Sequence, residues 1–334
     1  MKKQDLLNAL ELVKPGLAAK ELIAQTTSFV FVDGHIITYN DEISVQCPFA
    51  DITFTGAVPA TELYTLLNRI KQEDIELEVK DNELHLTSGK SRAGITLMQE
   101  VMLPLEEIGN IGKWTALPEN FVQAIKMAMY SCSRSLSKPI LNCVHVNKEG
   151  FVEGTDNYRV AHYKLSSVLP IETFLIPSST VQALIKMSIK EIAEGQGWIH
   201  FKTTEGCVVS CRTMSDKFPK TADVLAVQGE SLTFPSTMVE ILDRAMVFAK
   251  RDNALDEIIE IDIDKNKIKV KSQNISGWFE EEAPLKYKGN AIHFNVTPGL
   301  LKEILQTTSD FQYTDRFLKF QGEDWIFIAA LRAS

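Results

Sequence analysis

The chain has 334 residues, 45% of them hydrophobic and 24% charged, with a net charge of −9 from 35 Lys+Arg against 44 Asp+Glu. That composition excludes a disordered or collagen-like chain, and no apolar run approaches the ~18 residues of a membrane span. The acidic balance excludes holding nucleic acid by bulk charge, so any DNA contact needs basic residues gathered on one face.

In chain order, Leu6, Leu7, Leu10 and Val13 form an amphipathic helix, and the nearby Asp5 and Glu11 do not suit a secretory signal. The chain therefore reads as cytoplasmic, with its five cysteines reduced rather than paired. Phe29 and Phe31 lie in a strand-like run. Val58-Pro59 opens a second helix, with Leu63 and Leu66 on one face. Ile75, Leu77 and Val79 alternate with polar residues, Asp81-Asn82 is a turn signal, and Leu84 and Leu86 resume the alternation, which predicts a hairpin. Leu117-Pro118 opens a third helix with Val122 and Ile125. Ile176-Pro177 opens a fourth with Val181 and Leu184, followed by strand-like runs containing Trp198 and Phe201. Phe234-Pro235 opens a fifth with Val239 and Leu242. A second hairpin, Ile259, Ile261 and Ile263 against Ile268 and Val270, turns at Lys265-Asn266. Phe294 lies in a further strand-like run, Thr297-Pro298 opens a sixth helix with Leu301 and Leu305, and Trp325 lies in a last strand-like run.

The prolines mark a repeat: they recur at intervals of 59, 59, 58 and 63 residues. Proline suits the first helical turn, where its missing N–H would have been unpaired anyway. The unit, one helix plus three or four strands, occurs six times counting the chain start. One such unit buries too little apolar surface to fold alone. Paired units predict an α+β fold of three similar domains at residues 1–112, 113–226 and 227–334, without flexible linkers.

Enzyme motifs are absent. Gly89-Lys90-Ser91 lacks the earlier glycine of a phosphate-binding loop, since Leu84 stands there, and Gly195-Gln196-Gly197 lacks the third glycine of a dinucleotide motif, since His200 stands there. Cys207 with Cys211, and Cys143 with His145, do not belong to sets with zinc spacing. No catalytic residue, metal ligand or cofactor is expected. An enzyme with dispersed active-site residues, such as a nuclease or hydrolase, remains an alternative, because a triad built from distant positions leaves no local signature.

Basic residues recur on the helical patterns of this acidic chain: Lys14 and Lys20 near the first, Arg69 and Lys71 closing the second, Lys126 and Arg134 on or after the third, Lys186 and Lys190 on the fourth, Arg244, Lys250 and Arg251 on the fifth, and Lys302 on the sixth. Complementing helix dipoles explains part of this pattern. It does not explain the acidic excess of strands such as Ile75–Val79. A surface polarised in this way suits a polyanion on the helical side.

Several stretches carry a family resemblance. Thr155-Asp156-Asn157-Tyr158-Arg159-Val160-Ala161 resembles a Thr-Asp-Gly-His-Arg-Leu-Ala motif, and Ser88-Gly89-Lys90-Ser91-Arg92 a Ser-Gly-Arg-Ser-Arg turn. Lys217-Phe218-Pro219 followed by Val224 is similar to an Arg-Phe-Pro stretch. Phe294-Asn295-Val296 precedes the last helix, and Ile328-Ala329-Ala330-Leu331-Arg332 stands where Met-Pro-Met-Arg is usual. In this order, on this repeat, the chain resembles the bacterial sliding clamps, the beta subunit of DNA polymerase III. Asn157-Tyr158 in place of Gly-His, the missing proline and methionines, and the two residues after Arg332 point to a divergent member, encoded by a phage or mobile element.

The resemblance implies a homodimeric ring of six domains with helices inside and sheets outside. The ring would encircle double-stranded DNA without reading its sequence, tether a DNA polymerase, and have no catalytic site, cofactor or membrane contact. The basic residues named above would face the DNA. A DNA polymerase and a clamp loader would insert a peptide into a pocket formed by Leu141, Thr155, Tyr158, Arg159, Val160, Pro219, Val224, Asn295, Ile328, Ala329, Ala330, Leu331 and Arg332. Ala329 and Leu331 would replace methionines in its floor. The dimer interface would place Ala93, Ile95 and Leu97 against Val247 and Phe248. The competing reading is a paralogue of the same fold that forms no ring and serves as a partner-binding scaffold.

Overall fold

The computed structural model describes residues 1–135, 137–251 and 256–332. The repeat is visible in the element order. Helix α1 (Lys3–Val13) leads into β1 (Ser28–Val32), β2 (His35–Tyr39), β3 (Ile43–Pro48) and β4 (Gly56–Pro59). Helix α2 (Ala60–Arg69) leads into β5 (Glu76–Lys80), β6 (Glu83–Ser88), β7 (Ser91–Thr96) and the short β8 (Thr115–Ala116). Helix α3 (Phe121–Ser131) is followed by β9 (Cys143–Asn147), β10 (Phe151–Thr155), β11 (Arg159–Lys164) and β12 (Phe174–Pro177). Helix α4 (Ser178–Leu184) precedes β13 (Ile189–Gly195), β14 (Trp198–Thr203) and β15 (Val208–Arg212). A one-turn helix, α5 (Ala222–Leu225), and β16 (Glu230–Thr233) then intervene. Helix α6 (Met238–Ala249) leads into β17 (Ile259–Asp264), β18 (Lys267–Asn274), β19 (Gly277–Pro284) and β20 (Ile292–Val296). Helix α7 (Pro298–Ile304) leads into β21 (Asp310–Tyr313), β22 (Phe317–Gln321) and β23 (Trp325–Ala330). The fold is α+β, as the repeat predicts.

The helices form because apolar residues return every three or four positions. Helix α1 buries Leu6, Leu10 and Val13, α2 buries Leu63 and Leu67, and α6 buries Ile241, Leu242 and Ala245. The prolines work in three ways. Pro59 and Pro177 end β4 and β12 and are the residues just before α2 and α4. Pro298 is the first residue of α7. Pro118 and Pro235 each start a turn ahead of the helix, and their carbonyls accept from the N–H groups of Phe121 and Met238. Both predicted hairpins are present. The turn at Lys265 and Asn266 has φ of 48° and 66°, the left-handed pair that a tight hairpin with right-handed strand twist requires.

The chain divides into two compact units, Met1–Val122 with Ser167–Ser215, and Gln123–Ser166 with Asp216–Ser334. The first contains an eight-stranded sheet in the order β4-β1-β2-β3-β15-β14-β13-β8 and a smaller sheet β5-β6-β7. The second contains the run β9-β10-β11-β23-β22-β21-β16 and the sheet β19-β18-β17-β20. In each unit the large sheet is joined at its middle by strands far apart in sequence: β3 with β15, and β11 with β23. Gly154 shows how tightly the second unit packs. A Cβ there would lie 2.0 Å from the Ala128 carbonyl of α3, so only glycine fits.

Two sequence expectations are corrected here. Cys47 and Cys207 are joined as a disulfide, with Cα atoms 4.1 Å apart, where five reduced thiols were expected. They meet because β3 and β15 pair in a register that sets the two positions opposite each other. A contact 160 residues apart in sequence follows from no spacing rule. Cys132, Cys143 and Cys211 are buried outside any disulfide. The second correction concerns charge. Helix α4 ends at Leu184, so Lys186 lies just beyond it and Lys190 lies on β13. Lys250 and Arg251 likewise follow α6.

Candidate functional site

The β11–β23 seam carries a cleft of about 230 Å³. The register sets Val160 directly opposite Ile328, and both line the cleft with Thr155, Tyr158, Arg159, Pro219, Val224 and Ala330. Eight residues of the expected pocket are thus brought together, along with Asn157, Lys220, Thr221 and Phe317, which the sequence reading did not assign to it. Lys220 and Thr221 could have been found from their neighbour Pro219. Phe317 lies on β22 in a different repeat, and nothing in the sequence signals it.

Alternation along β23 decides the rest. Successive side chains point to opposite faces. Ile328 and Ala330 face the cleft, while Phe327 and Ala329 join the hydrophobic core of the second unit with Leu331 packed against it. Ala329 and Leu331 therefore do not form the cleft floor, which corrects the expectation drawn from the methionine positions. Leu141 is buried in the turn before β9. Asn295 and Arg332 also stand outside the lining and pair with each other through their backbones.

The turn between β10 and β11 is built on Asp156. Its Oδ1 accepts the N–H groups of Tyr158 (2.9 Å) and Arg159 (3.0 Å), and its Oδ2 accepts Arg159 Nε at 3.0 Å. Arg159 Nη1 donates to Glu303 on α7 at 3.1 Å, so the buried guanidinium is neutralised from two sides. Asn157 has φ of 74°. Asparagine tolerates that left-handed conformation, which accounts for its standing where the resembling motif has glycine.

Beside the cleft, two residues before Thr155 on β10, Glu153 is buried and accepts from His145 Nδ1 (3.2 Å), His162 Nδ1 (3.0 Å) and the Thr221 hydroxyl. Burial alone would raise its pKa. The bonds from His145, His162 and Thr221 outweigh burial and hold it at about 2. The His145 ring stacks on Phe218 with centroids 4.6 Å apart. Lys319 on β22, also buried, donates from Nζ to the carbonyls of Leu225 (3.1 Å) and Val227 (2.9 Å).

The basic residues are exposed, apart from the half-exposed Lys302. Several already have partners. Arg244 forms a two-pronged bond to Glu281 on β19, Lys302 pairs with Asp243, Lys14 pairs with Glu11 at 3.7 Å, and Arg251 donates to backbone carbonyls, including Gln273. Among the described residues, Lys20, Arg69, Lys71, Lys126, Arg134, Lys186, Lys190 and Lys250 make no ion pair.

Strands β7 and β19 end their sheets. Ile95 and Leu97 are buried in the protomer's own core, so neither side chain is available to a partner. Alternation sends Ile95 inward, and Leu97 lies just past the end of β7. Ala93 and Phe248 are half-buried, and Val247 is 64% exposed. Ile275 and Trp278, which the sequence reading did not name, are exposed where β19 begins.

Among the described residues, no group of three or more His, Cys, Asp or Glu could hold a metal ion, and no helix is long and apolar enough to cross a membrane.

No protein-family model and no curated protein matches the chain by sequence. Solved structures do. The DNA polymerase III subunit beta of Pseudomonas aeruginosa superposes with a TM-score of 0.86 at 18% identity, covering 100% of this chain and 99% of that one. The sliding clamp of Bacillus subtilis gives 0.85 at 15% identity, and the beta subunit of Thermotoga maritima 0.84 at 16%, each covering 100% of this chain and 98% of the other. The chain has the DNA sliding-clamp fold.

Proposed function

We propose that this protein is a DNA sliding clamp, the processivity factor of a replicative DNA polymerase, acting in the cytoplasm without a catalytic site of its own. The observation that carries the reading is the end-to-end likeness to sliding clamps, 100% of this chain against 99% of the Pseudomonas aeruginosa subunit. The cleft supports it independently, since Val160, Ile328, Pro219, Val224 and Tyr158 offer apolar and aromatic surface to a short peptide. Burial of such anchors contributes ~25 cal/mol per Å² before ordering costs.

In this reading the chain forms three domains, 1–112, 113–226 and 227–334, and two chains close head to tail. The edges of β7 and β19 join by backbone pairing, and Val247, Ile275 and Trp278 supply apolar contact. The basic residues touch phosphates loosely and read no bases, which permits sliding. A polymerase and a clamp loader dock by peptides in the cleft. A polymerase that lets go of DNA then rebinds at high effective concentration.

The test combines light scattering with retention on DNA. The expected result is a dimer whose binding to short linear DNA falls steeply with salt, a counterion-release effect, and whose retention on loaded circular DNA does not. A stable monomer, or equal salt sensitivity on both DNAs, would overturn the ring and leave a partner-binding scaffold.

A further inference from the structure

We infer that Glu153 and Lys319 are positioning residues that set peptide affinity by holding the α5 side of the cleft in place; this rests on the peptide-binding reading above. Helix α5 has no fully buried residue, its Val224 and Leu225 being half-buried, so apolar packing fixes it only weakly. Yet Val224, and Pro219 and Thr221 just before it, line the cleft. Polar bonds anchor both ends of this segment. At its start the Thr221 hydroxyl donates to Glu153. At its end Lys319 donates to the Leu225 and Val227 carbonyls, where unpaired helix carbonyls gather negative partial charge.

The two charges stand on opposite sides of the seam, Lys319 directly opposite Ile328 and Glu153 opposite His162. In the order β10-β11-β23-β22, Glu153 stands on β10 and Lys319 on β22, so they flank the β11–β23 pair that carries Val160 and Ile328. Both are buried, at 4% and 3% exposure, and neither lines the cleft. Burying a charge is costly unless its hydrogen bonds are made good. Both bonds from Lys319 run to the segment bearing Val224, and one of the three bonds that compensate Glu153 does, through Thr221, the other two coming from His145 and His162. Removing either anchor should free the segment without touching the peptide's contact surface.

The experiment compares wild type with Glu153→Gln, Lys319→Met and the double variant. Binding of a fluorescein-labelled short peptide carrying leucine and phenylalanine anchors is read by anisotropy, and backbone amides are followed by hydrogen exchange. Each single variant is expected to bind about tenfold more weakly, the scale of one lost bond to a charged group. The double variant should lose less than the product, because one anchor lost already frees the segment. Exchange should quicken at residues 220–227 while β11 and β23 stay protected, a local effect that general destabilisation would not produce. If Glu153→Gln does not fold, Thr221→Val removes the donor and Thr221→Ser keeps it, and because Thr221 itself lines the cleft the exchange at the following residues, not affinity alone, is the readout. Variants that bind within about twofold of a binding wild type, or exchange that quickens everywhere, would overturn the positioning role. A wild type that takes no peptide would instead overturn the peptide-binding reading, and the affinity role with it.

Discussion

The guanidinium carbon of Arg332 lies 4.3 Å from the centre of the Tyr158 ring. This contact ties the turn between β10 and β11 to the residues that follow β23. The Arg332 N–H also donates to the Asn295 carbonyl at 2.8 Å. Tyr158→Phe keeps the ring and should leave stability unchanged. Tyr158→Ala should cost about 0.5–1 kcal/mol, the scale of an exposed cation–π contact, read as a lower urea midpoint. Equal midpoints for the two variants would show that the contact contributes nothing.

Adjacent positions on β23 should respond differently to one substitution. Ala329 is fully buried in the core, so Ala329→Leu should overpack it and destabilise the protein by about 1–3 kcal/mol. Ala330 lines the cleft, so Ala330→Leu should change peptide affinity with little change in melting temperature. Val160→Asp puts a charge on the apolar floor and should weaken peptide binding on the order of 100-fold. A Val160→Asp protein that folds and binds normally would remove the cleft from consideration.

Acid should act in two steps. Burial pushes His200 down to about 4 from 6.5. Its neutral form therefore contributes stability that is complete above pH 6.5 and is lost as pH falls toward 4, because the unfolded imidazole takes a proton first. Glu153, held at about 2 against an ordinary 4.5, contributes stability that is complete above pH 4.5 and is lost between 4.5 and 2. Each slope is at most about 1.4 kcal/mol per pH unit. Denaturant melts from pH 8 to 3 should show His200→Phe flattening the upper window and Glu153→Gln the lower. A wild-type profile flat between pH 6.5 and 4 would contradict the burial of His200.

The Cys47–Cys207 bond can be counted. Denatured without reductant, the oxidised protein should present three reactive thiols, Cys132, Cys143 and Cys211, and five after reduction. Cys47→Ser should lower stability by up to about 5 kcal/mol in the chain-entropy view of so long a loop. Five thiols before reduction would mean that the pair is open.

Closure of the proposed dimer is tested on the exposed side chains rather than on Ile95, whose burial means that Ile95→Asp would unfold the domain. Val247→Glu with Trp278→Glu should halve the mass in light scattering and leave the melting temperature within ~2 °C. A double variant that stays dimeric would place the interface elsewhere.

Much of this protein was determined by its sequence alone. The six helices that open the repeat units and both hairpins follow from local causes: apolar residues at helical spacing, alternation along strands, prolines before helices, and turn residues such as Asn266 that tolerate left-handed backbone. The residues of the Thr155–Ala161 motif also pointed to the cleft, because a turn built on Asp156 is a local structure. Tertiary structure decided what depends on pairings across long stretches of chain. Whether Ala329 or Ala330 faces the cleft is set by the register of β23 against β11, and a shift of one residue would reverse it. The Cys47–Cys207 bond needs β3 beside β15, and the place of Phe317 needs β22 beside β23. Glu153 and Lys319 are unremarkable in sequence, each a polar residue after two apolar ones in a short strand. Only the fold buries them on either side of a seam and brings the segment around α5 within hydrogen-bond reach of both, because burial, unlike helical periodicity, is a property of everything packed around a residue.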